Sequence, residues 1–410
     1  MQPQLGEREL LVVEGSGPAV ASFNEYNPLF LRNRFAVQAA AVVGSNDTYG
    51  DEVTQSGVWD RFSYSLGQFH YETDGFRPNN DLTQDIYNAF IQASVSPSLS
   101  IQAEARHRDV EHGDIRLNFD LDDFQEEARR SLISDSVRFG AHYSPAPTSD
   151  FIASFLYRDQ ELKDNPFLSR SSYGYVGEAQ YLFRLPALKL IAGGGYYDVR
   201  HNPLLGDSFH IRHGNGYLYS YFRYPAQVTW TIGASVDALD TKDPETQKEH
   251  YNRFNPKFGL MWDLTPRTTF RAAVFKTLKR ATLFDQTIEP TQVAGFNQFF
   301  DDFDSTEARR LGLALDHRFS SDLYGGVELS RRDLQIPIDT LDGTFITDFS
   351  ENQRRAYLYW TPHSRVAMSV SVESEEFEPE IEEISAVETL FVPATVSYYS
   401  PSGFFGSLST

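Results

Sequence analysis

Residues 85–108 read DIYNAFIQASVSPSLSIQAEARHR. Tyr87, Ala89, Ile91, Ala93 and Val95 fall on one face, and Asn88, Gln92, Ser94 and Ser96 lie mostly on the other. After Pro97-Ser98 the alternation resumes: Leu99, Ile101, Ala103 and Ala105 interleave with Ser100, Gln102, Glu104, Arg106 and Arg108. A period of two is the signature of a β-strand. A run of about ten residues is long for a soluble sheet and suits a tilted bilayer span.

Outward from this hairpin the pattern repeats. Short connections fall at 96–98, 145–150, 185–187, 225–226, 265–267, 320–322, 361–365 and 400–403, rich in the Pro, Ser, Asp and Gly that tight turns require. They alternate with long polar segments at 109–135, 159–172, 198–214, 239–253, 277–305, 333–352 and 374–387, read here as loops. Sorting short turns to one rim and long loops to the other is a property of an outer-membrane barrel. The expected fold is therefore all-β, a transmembrane antiparallel up-and-down β-barrel. It has roughly 17–18 strands here, and about 22 are expected in a parent protein whose barrel must close.

Face chemistry sets the sidedness. Tyr173, Tyr175, Tyr181 and Phe183 stand near the ends of one strand, with Gly177 and Ala179 between them. Val228, Trp230, Ile232, Ala234 and Val236 form another apolar row, and so do Phe258, Leu260 and Trp262. Aromatic ends and aliphatic middles match a lipid-facing band. Arginine at Ala234 should therefore be costly and arginine at Thr231, on the other face, milder. The polar set, including Glu104, Arg106, Arg108, Glu178, Arg184, Glu328 and Arg332, would then face a wet lumen.

Composition agrees. The 410 residues carry a formal net charge of −21, no cysteine, 22 Tyr and 32 Phe. An acidic balance argues against nucleic acid, and the lack of cysteine removes disulfide and thiolate chemistry. Mean hydropathy is only −0.42, as a barrel with one apolar face allows. No apolar stretch approaches the roughly 18 residues of a membrane helix. Met1-Gln2-Pro3-Gln4 lacks a basic start and an apolar core, so no signal peptide is visible. The expectation is a processed piece or fragment: residues 1–31 a connector or remnant of an upstream plug or periplasmic domain, residues 32–410 the barrel, truncated at its C-terminus.

Motifs for chemistry are sparse. There is no phosphate loop, His-Glu-x-x-His or Gly-x-Ser-x-Gly, so neither an enzyme nor a cofactor is expected. His201, His210 and His213, with Asp207 nearby, read as one solvated loop matching no defined metal site. Acidic clusters at Asp120, Asp122 and Asp123, at Asp301, Asp302 and Asp304, and along Glu373–Glu383 lack a calcium-loop pattern. They read as solvating charge, or as partners of lipopolysaccharide phosphates bridged by divalent cations. The candidate binding groups are the lumen charges Glu104, Arg106, Arg108, Glu178, Glu328 and Arg332, together with the aromatic loop residues Phe296, Phe299 and Phe300. The charges would select a solute or hold a plug. The aromatics would cover a ligand from outside or pack on neighbouring loops.

Residues 22–30 (SFNEYNPLF), 67–81 (GQFHYETDGFRPNND), 255–262 (NPKFGLMW) and 288–302 (IEPTQVAGFNQFFDD) carry a likeness. The chain resembles the barrel part of TonB-dependent receptor-like outer-membrane proteins, in a branch with periplasmic repeat modules upstream. The resemblance implies a Gram-negative outer membrane and an unidentified ligand. It also implies contact with TonB through a plug that this sequence does not contain. A passive porin or export conduit, and an anchor for periplasmic or surface partners, are the alternatives.

Overall fold

The computed structural model describes residues 19–20, 33–115, 124–164, 168–203, 208–242, 249–280, 286–298, 302–340, 343–379 and 386–409. These form strands, turns and bends without a helix. Twenty of the 24 strands belong to one barrel sheet. Two of them, Val387–Phe391 and Ala394–Tyr399, both pair with Val366–Pro379, so they are halves of one span. They are separated at Val392-Pro393, where proline has no N–H to give the ladder. The nineteen resulting spans each pair antiparallel with the next in sequence, from Arg34–Val43 to Phe405–Ser409. Among the described residues no register partner joins those two outermost spans. The fold is the up-and-down barrel expected from the turn pattern. The turn count from sequence lacks only the tight connection at Asp60-Arg61, where Asp60 adopts a φ of 52°.

Strand length is where the structure departs from the sequence reading. Between Leu82 and Pro379 the spans run from 11 to 21 residues rather than about ten. Much of what reads as long loop is ladder. Residues 198–214, for instance, are paired from Asp198↔Arg212 to His201↔Phe209. The reason is physical. Above the lipid both faces of a strand meet water, so the apolar alternation stops while backbone pairing continues.

The expected sidedness holds. Ile232 and Val236 are 56% and 54% exposed, while their neighbours Thr231, Ser235 and Asp237 are buried in the lumen wall. In Glu307–Arg318, Leu311, Leu313 and Leu315 face out and Arg310, Ala314 and Asp316 face in. We expect Ala234→Arg, near the middle of the apolar band, to cost about 2–4 kcal/mol of barrel stability. Ser154→Arg, on the lumen face, should cost under about 1 kcal/mol. Guanidinium unfolding of the barrel refolded in vesicles compares the two, and equal penalties would contradict the sidedness. Thr231 is not the mild control that the face pattern implies. It is 2% exposed and packs beside Gly259 under a segment folded into the lumen, so arginine has no room there.

A candidate site in the barrel lumen

The connection between Thr268–Leu278 and Glu307–Arg318 leaves from the long-connection rim and turns into the barrel. Within it Gln292–Val293 pairs with Phe296–Asn297 as a miniature hairpin. Its turn residues, Ala294 and Gly295, have φ values of 49° and 88°. Two successive positive φ angles make a type I′ turn. Glycine enters that region freely, whereas alanine must be held there by its surroundings.

The surroundings are bare backbone on the wall. A Cβ at Gly312 would lie 2.4 Å from the Phe296 ring, and one at Gly259 would lie 2.9 Å from Val293 and 3.0 Å from Ala294. These two glycines are the sockets that receive the hairpin. Val293, Ala294 and Phe296 are buried with Tyr217, Tyr219, Ala273, Phe275 and Ala314 of the wall in one apolar cluster. The Arg271 and Arg310 guanidiniums stand 5.2 and 5.7 Å from the Phe296 ring centre, within cation–π range. They also donate to the hairpin carbonyls, Arg271 to Ala294 at 3.3 Å and Arg310 to Asn297 at 3.2 Å. Arg271 is itself fixed by Asp316 at 2.6 Å and Glu328 at 3.1 Å.

The stem of the segment is held by charge. Arg280 pairs with Glu289, donates to Tyr197 Oη at 3.1 Å and Thr287 Oγ1 at 3.3 Å, and lies 3.6 Å from Asp237. Glu289 has no exposed surface and accepts from Tyr219 at 2.7 Å and Asn215 at 3.3 Å. Glu178 accepts from the Thr287 hydroxyl at 2.6 Å, the Tyr197 hydroxyl at 3.0 Å and the Ile288 N–H at 3.1 Å. Asp237 accepts from Asn255 at 2.7 Å and faces His213 at 2.9 Å. Such a network is stabilising only while its members stay matched, because an orphaned buried charge is costly.

The structure therefore brings Glu178, Glu328 and Phe296 together around the inserted segment. Phe296 neither caps the barrel from outside nor packs on neighbouring loops; it is 0% exposed against the lumen wall. Phe299 and Phe300 lie outside the described residues. Arg332 is buried between Glu351 and Asp302. Glu104 lies apart, paired with Arg138 at 2.7 Å and accepting from Asn88 at 2.6 Å, and Arg106 and Arg108 follow it up the same strand. Sequence reasoning missed Arg271, Arg280, Glu289 and Arg310, which nothing periodic distinguishes. The available signal was glycine at two lumen-facing strand positions, 259 and 312, opposite an aromatic-rich connection.

The histidines are a correction. They share no loop: His201 lies in Leu188–Pro203, and His210 and His213 lie in Phe209–Arg223. His201 contacts Ser172 at 2.7 Å, His210 contacts Asp198 at 2.6 Å, and His213 is 1% exposed. Among the described residues no three His, Asp or Glu side chains are grouped as metal ligands.

At the short-turn mouth a cavity of about 600 Å³ is lined by Ser94, Ser96, Ser100, His142, Asp150 and Arg184. His142 Nε2 meets both Ser144 Oγ at 3.1 Å and Asp150 Oδ1 at 2.8 Å. A serine–histidine–aspartate relay needs opposite ring nitrogens for the two partners, so this cluster is not arranged as one.

A lipid-facing up-and-down sheet with long connections at one rim is a membrane β-barrel. The chain belongs to the TonB dependent receptor-like β-barrel family, which it matches over residues 23–333. Solved structures share the fold. The copper transporter OprC superposes with a TM-score of 0.68 at 11% identity, covering 90% of this chain and 65% of that one. The FrpB iron transporter from Neisseria meningitidis gives 0.68 at 12% identity, covering 91% and 68%. The alcaligin outer-membrane receptor FauA from Bordetella pertussis gives 0.62 at 12%, covering 92% and 66%. The chain thus spans about two thirds of the length of these structures. No curated protein matches it in sequence.

Proposed function

We propose that this chain is the conducting barrel of an outer-membrane uptake protein of Gram-negative bacteria. In this reading the long-connection rim faces the cell surface and captures a ligand, and the short turns face the periplasm. Lipid and lipopolysaccharide surround the barrel. TonB would supply the energy, as the family membership suggests. The observation that carries the reading is the hairpin at Ala294-Gly295. It enters from the capture rim and occupies the lumen about halfway down, level with Gly259 and Gly312. A barrel serving only as an anchor has no need of a shaped obstruction on its inner wall, whereas a selective conduit does.

Similar structures bear titles naming copper, iron and a siderophore receptor, and a small metal chelate is the ligand class to test first. Cells expressing the protein should accumulate radiolabelled ferric citrate, and a protonophore should abolish the accumulation. Accumulation insensitive to the protonophore would replace the energised reading with passive diffusion. If neither ferric citrate nor any other metal chelate accumulates above a barrel-deleted control, the uptake proposal fails.

A further inference from the structure

We propose that the outer face of four adjacent strands, Glu307–Arg318, Leu323–Thr340, Gly343–His363 and Val366–Pro379, carries a binding site for one acyl chain of a glycerophospholipid with an anionic head group. The site rests on the lipid-facing assignment of the apolar rows and is independent of uptake.

The register lays out two rows. Leu315 is opposite Val327, Val327 opposite Ala356, and Ala356 opposite Val372. One row nearer the short turns, His317 is opposite Gly325, Gly325 opposite Leu358, and Leu358 opposite Val370. Rows on one face lie about 7 Å apart. Between the ridges of Leu315, Phe319 and Leu358 runs a groove of about 410 Å³. Gly325 and Ala356 are its low points, diagonal to each other on neighbouring strands. A Cβ at Gly325 would lie 2.6 Å from the Tyr357 carbonyl oxygen, 3.0 Å from Leu358 Cδ1 and 3.5 Å from the Phe319 ring. The floor there is bare backbone, and only glycine leaves it open. The walls are fixed by paired ladders on both sides. The Phe319 N–H donates to the Leu323 carbonyl at 2.9 Å, and the Phe319 ring stands edge-on to His317 with centroids 4.8 Å apart.

The position of the groove decides its occupant. Leu315, Phe319, Val327, Leu358, Val370 and Val372 are all exposed, as the rest of the lipid-facing surface is, and the groove is continuous with that surface. The medium over it is hydrocarbon. Lipid tails are as apolar as the walls, so the gain comes from packing rather than from exclusion of water. A chain lying in the groove touches wall on three sides, whereas one passing across the ridges leaves the floor without partner atoms. The head-group end is marked by polar side chains. His317 lines the groove, its Nδ1 at 2.9 Å from Thr268 Oγ1. Arg318 follows His317 and Arg267 precedes Thr268; both are exposed, and the Arg318 N–H donates to the Arg267 carbonyl at 2.8 Å. The acids of this rim, Asp263 and Asp322, accept from Thr269 at 2.8 Å and Ser320 at 2.7 Å. Two guanidiniums at the short-turn end of an apolar groove suit the phosphate of a lipid whose chain lies in it. With the short turns at the periplasm, that end lies in the phospholipid leaflet, opposite to the one that lipopolysaccharide fills.

Native mass spectrometry of the refolded full chain tests the site, with phosphatidylglycerol or phosphatidylethanolamine of matched chains added in a mild detergent. One lipid should be retained saturably, phosphatidylglycerol in preference. Ala356→Phe, at an exposed position with room for the ring, should fill the groove and cut retention of both lipids roughly fivefold. Ile232→Phe, on the lipid-facing surface away from the groove, should leave it unchanged. Arg267→Gln and Arg318→Gln should each lower the preference for phosphatidylglycerol roughly fivefold without changing retention of phosphatidylethanolamine. Heat-modifiable gel mobility reports folding of each variant, and Ala356→Leu serves if Ala356→Phe does not refold. Unsaturable adducts on the folded wild type overturn the site, as do equal retention in the filled variant and a dimer peak in place of the lipid adduct. A preference that survives both arginine substitutions overturns the head-group assignment. Ferric citrate uptake without retained lipid would remove the site and leave the transport reading. Retained lipid without uptake would do the reverse.

Discussion

Gly312→Leu is expected to drive the Ala294-Gly295 hairpin out of the lumen and to raise the conductance of the reconstituted barrel by roughly twofold. A Cβ alone at this position would stand 2.4 Å from the Phe296 ring, well inside contact. Phe296 cannot step sideways, because the arginines at 271 and 310 flank it and Gly259 closes the floor under Val293 and Ala294. The wall is a paired ladder on both sides of Gly312, so the strand cannot retreat either. The weakest element must move, and that is a two-residue-paired hairpin with an alanine at positive φ. Gly177→Ala is the control, since a Cβ there meets nothing within 4 Å. Planar-bilayer recordings decide the matter. If Gly312→Leu conducts like wild type while Gly177→Ala does too, the hairpin is not an obstruction.

Arg280→Met should release the stem of the same segment. The substitution keeps bulk but leaves Glu289, Glu178 and Asp237 without their shared cation in a buried setting. Breaking one side of a buried pair typically costs about 3–5 kcal/mol. The loss should fall on the segment rather than on the barrel, because the ladders of Leu168–Leu185 and Phe209–Arg223 do not depend on it. Proteinase K should then cut between residues 286 and 298 far faster than in wild type, while the thermal transition of the barrel moves little. Adding Glu289→Met should recover part of the protection, as expected when both halves of a pair are made apolar. Unchanged cleavage in Arg280→Met would mean that the network does not anchor the segment.

Both experiments bear on a region that sequence reasoning half saw. The aromatic stretch at 296–300 stood out as functional, and Glu178 and Glu328 were assigned to the lumen from face alternation alone. Neither pattern could place Phe296 inside the barrel, because a connection without periodicity carries no face. Glu289 and Arg280 were invisible for the same reason. They are distant in sequence from the wall residues they meet, Tyr197, Asn215 and Tyr219, and reach them only through the fold. The length of the spans was underread because polar ladder above the lipid looks like loop.

Period-two alternation, the sorting of short and long connections and the placement of aromatics determined by themselves that this chain is a membrane barrel, and which side chains face lipid. Those features are local, and a one-residue slip would turn every apolar side chain inward. Only the tertiary structure decided that part of the lumen is filled by the chain's own hairpin, seated on Gly259 and Gly312 and tied by Arg271, Arg280 and Arg310. That outcome depends on a missing Cβ in one strand meeting a ring from a distant connection, and no periodicity along the chain encodes such a meeting.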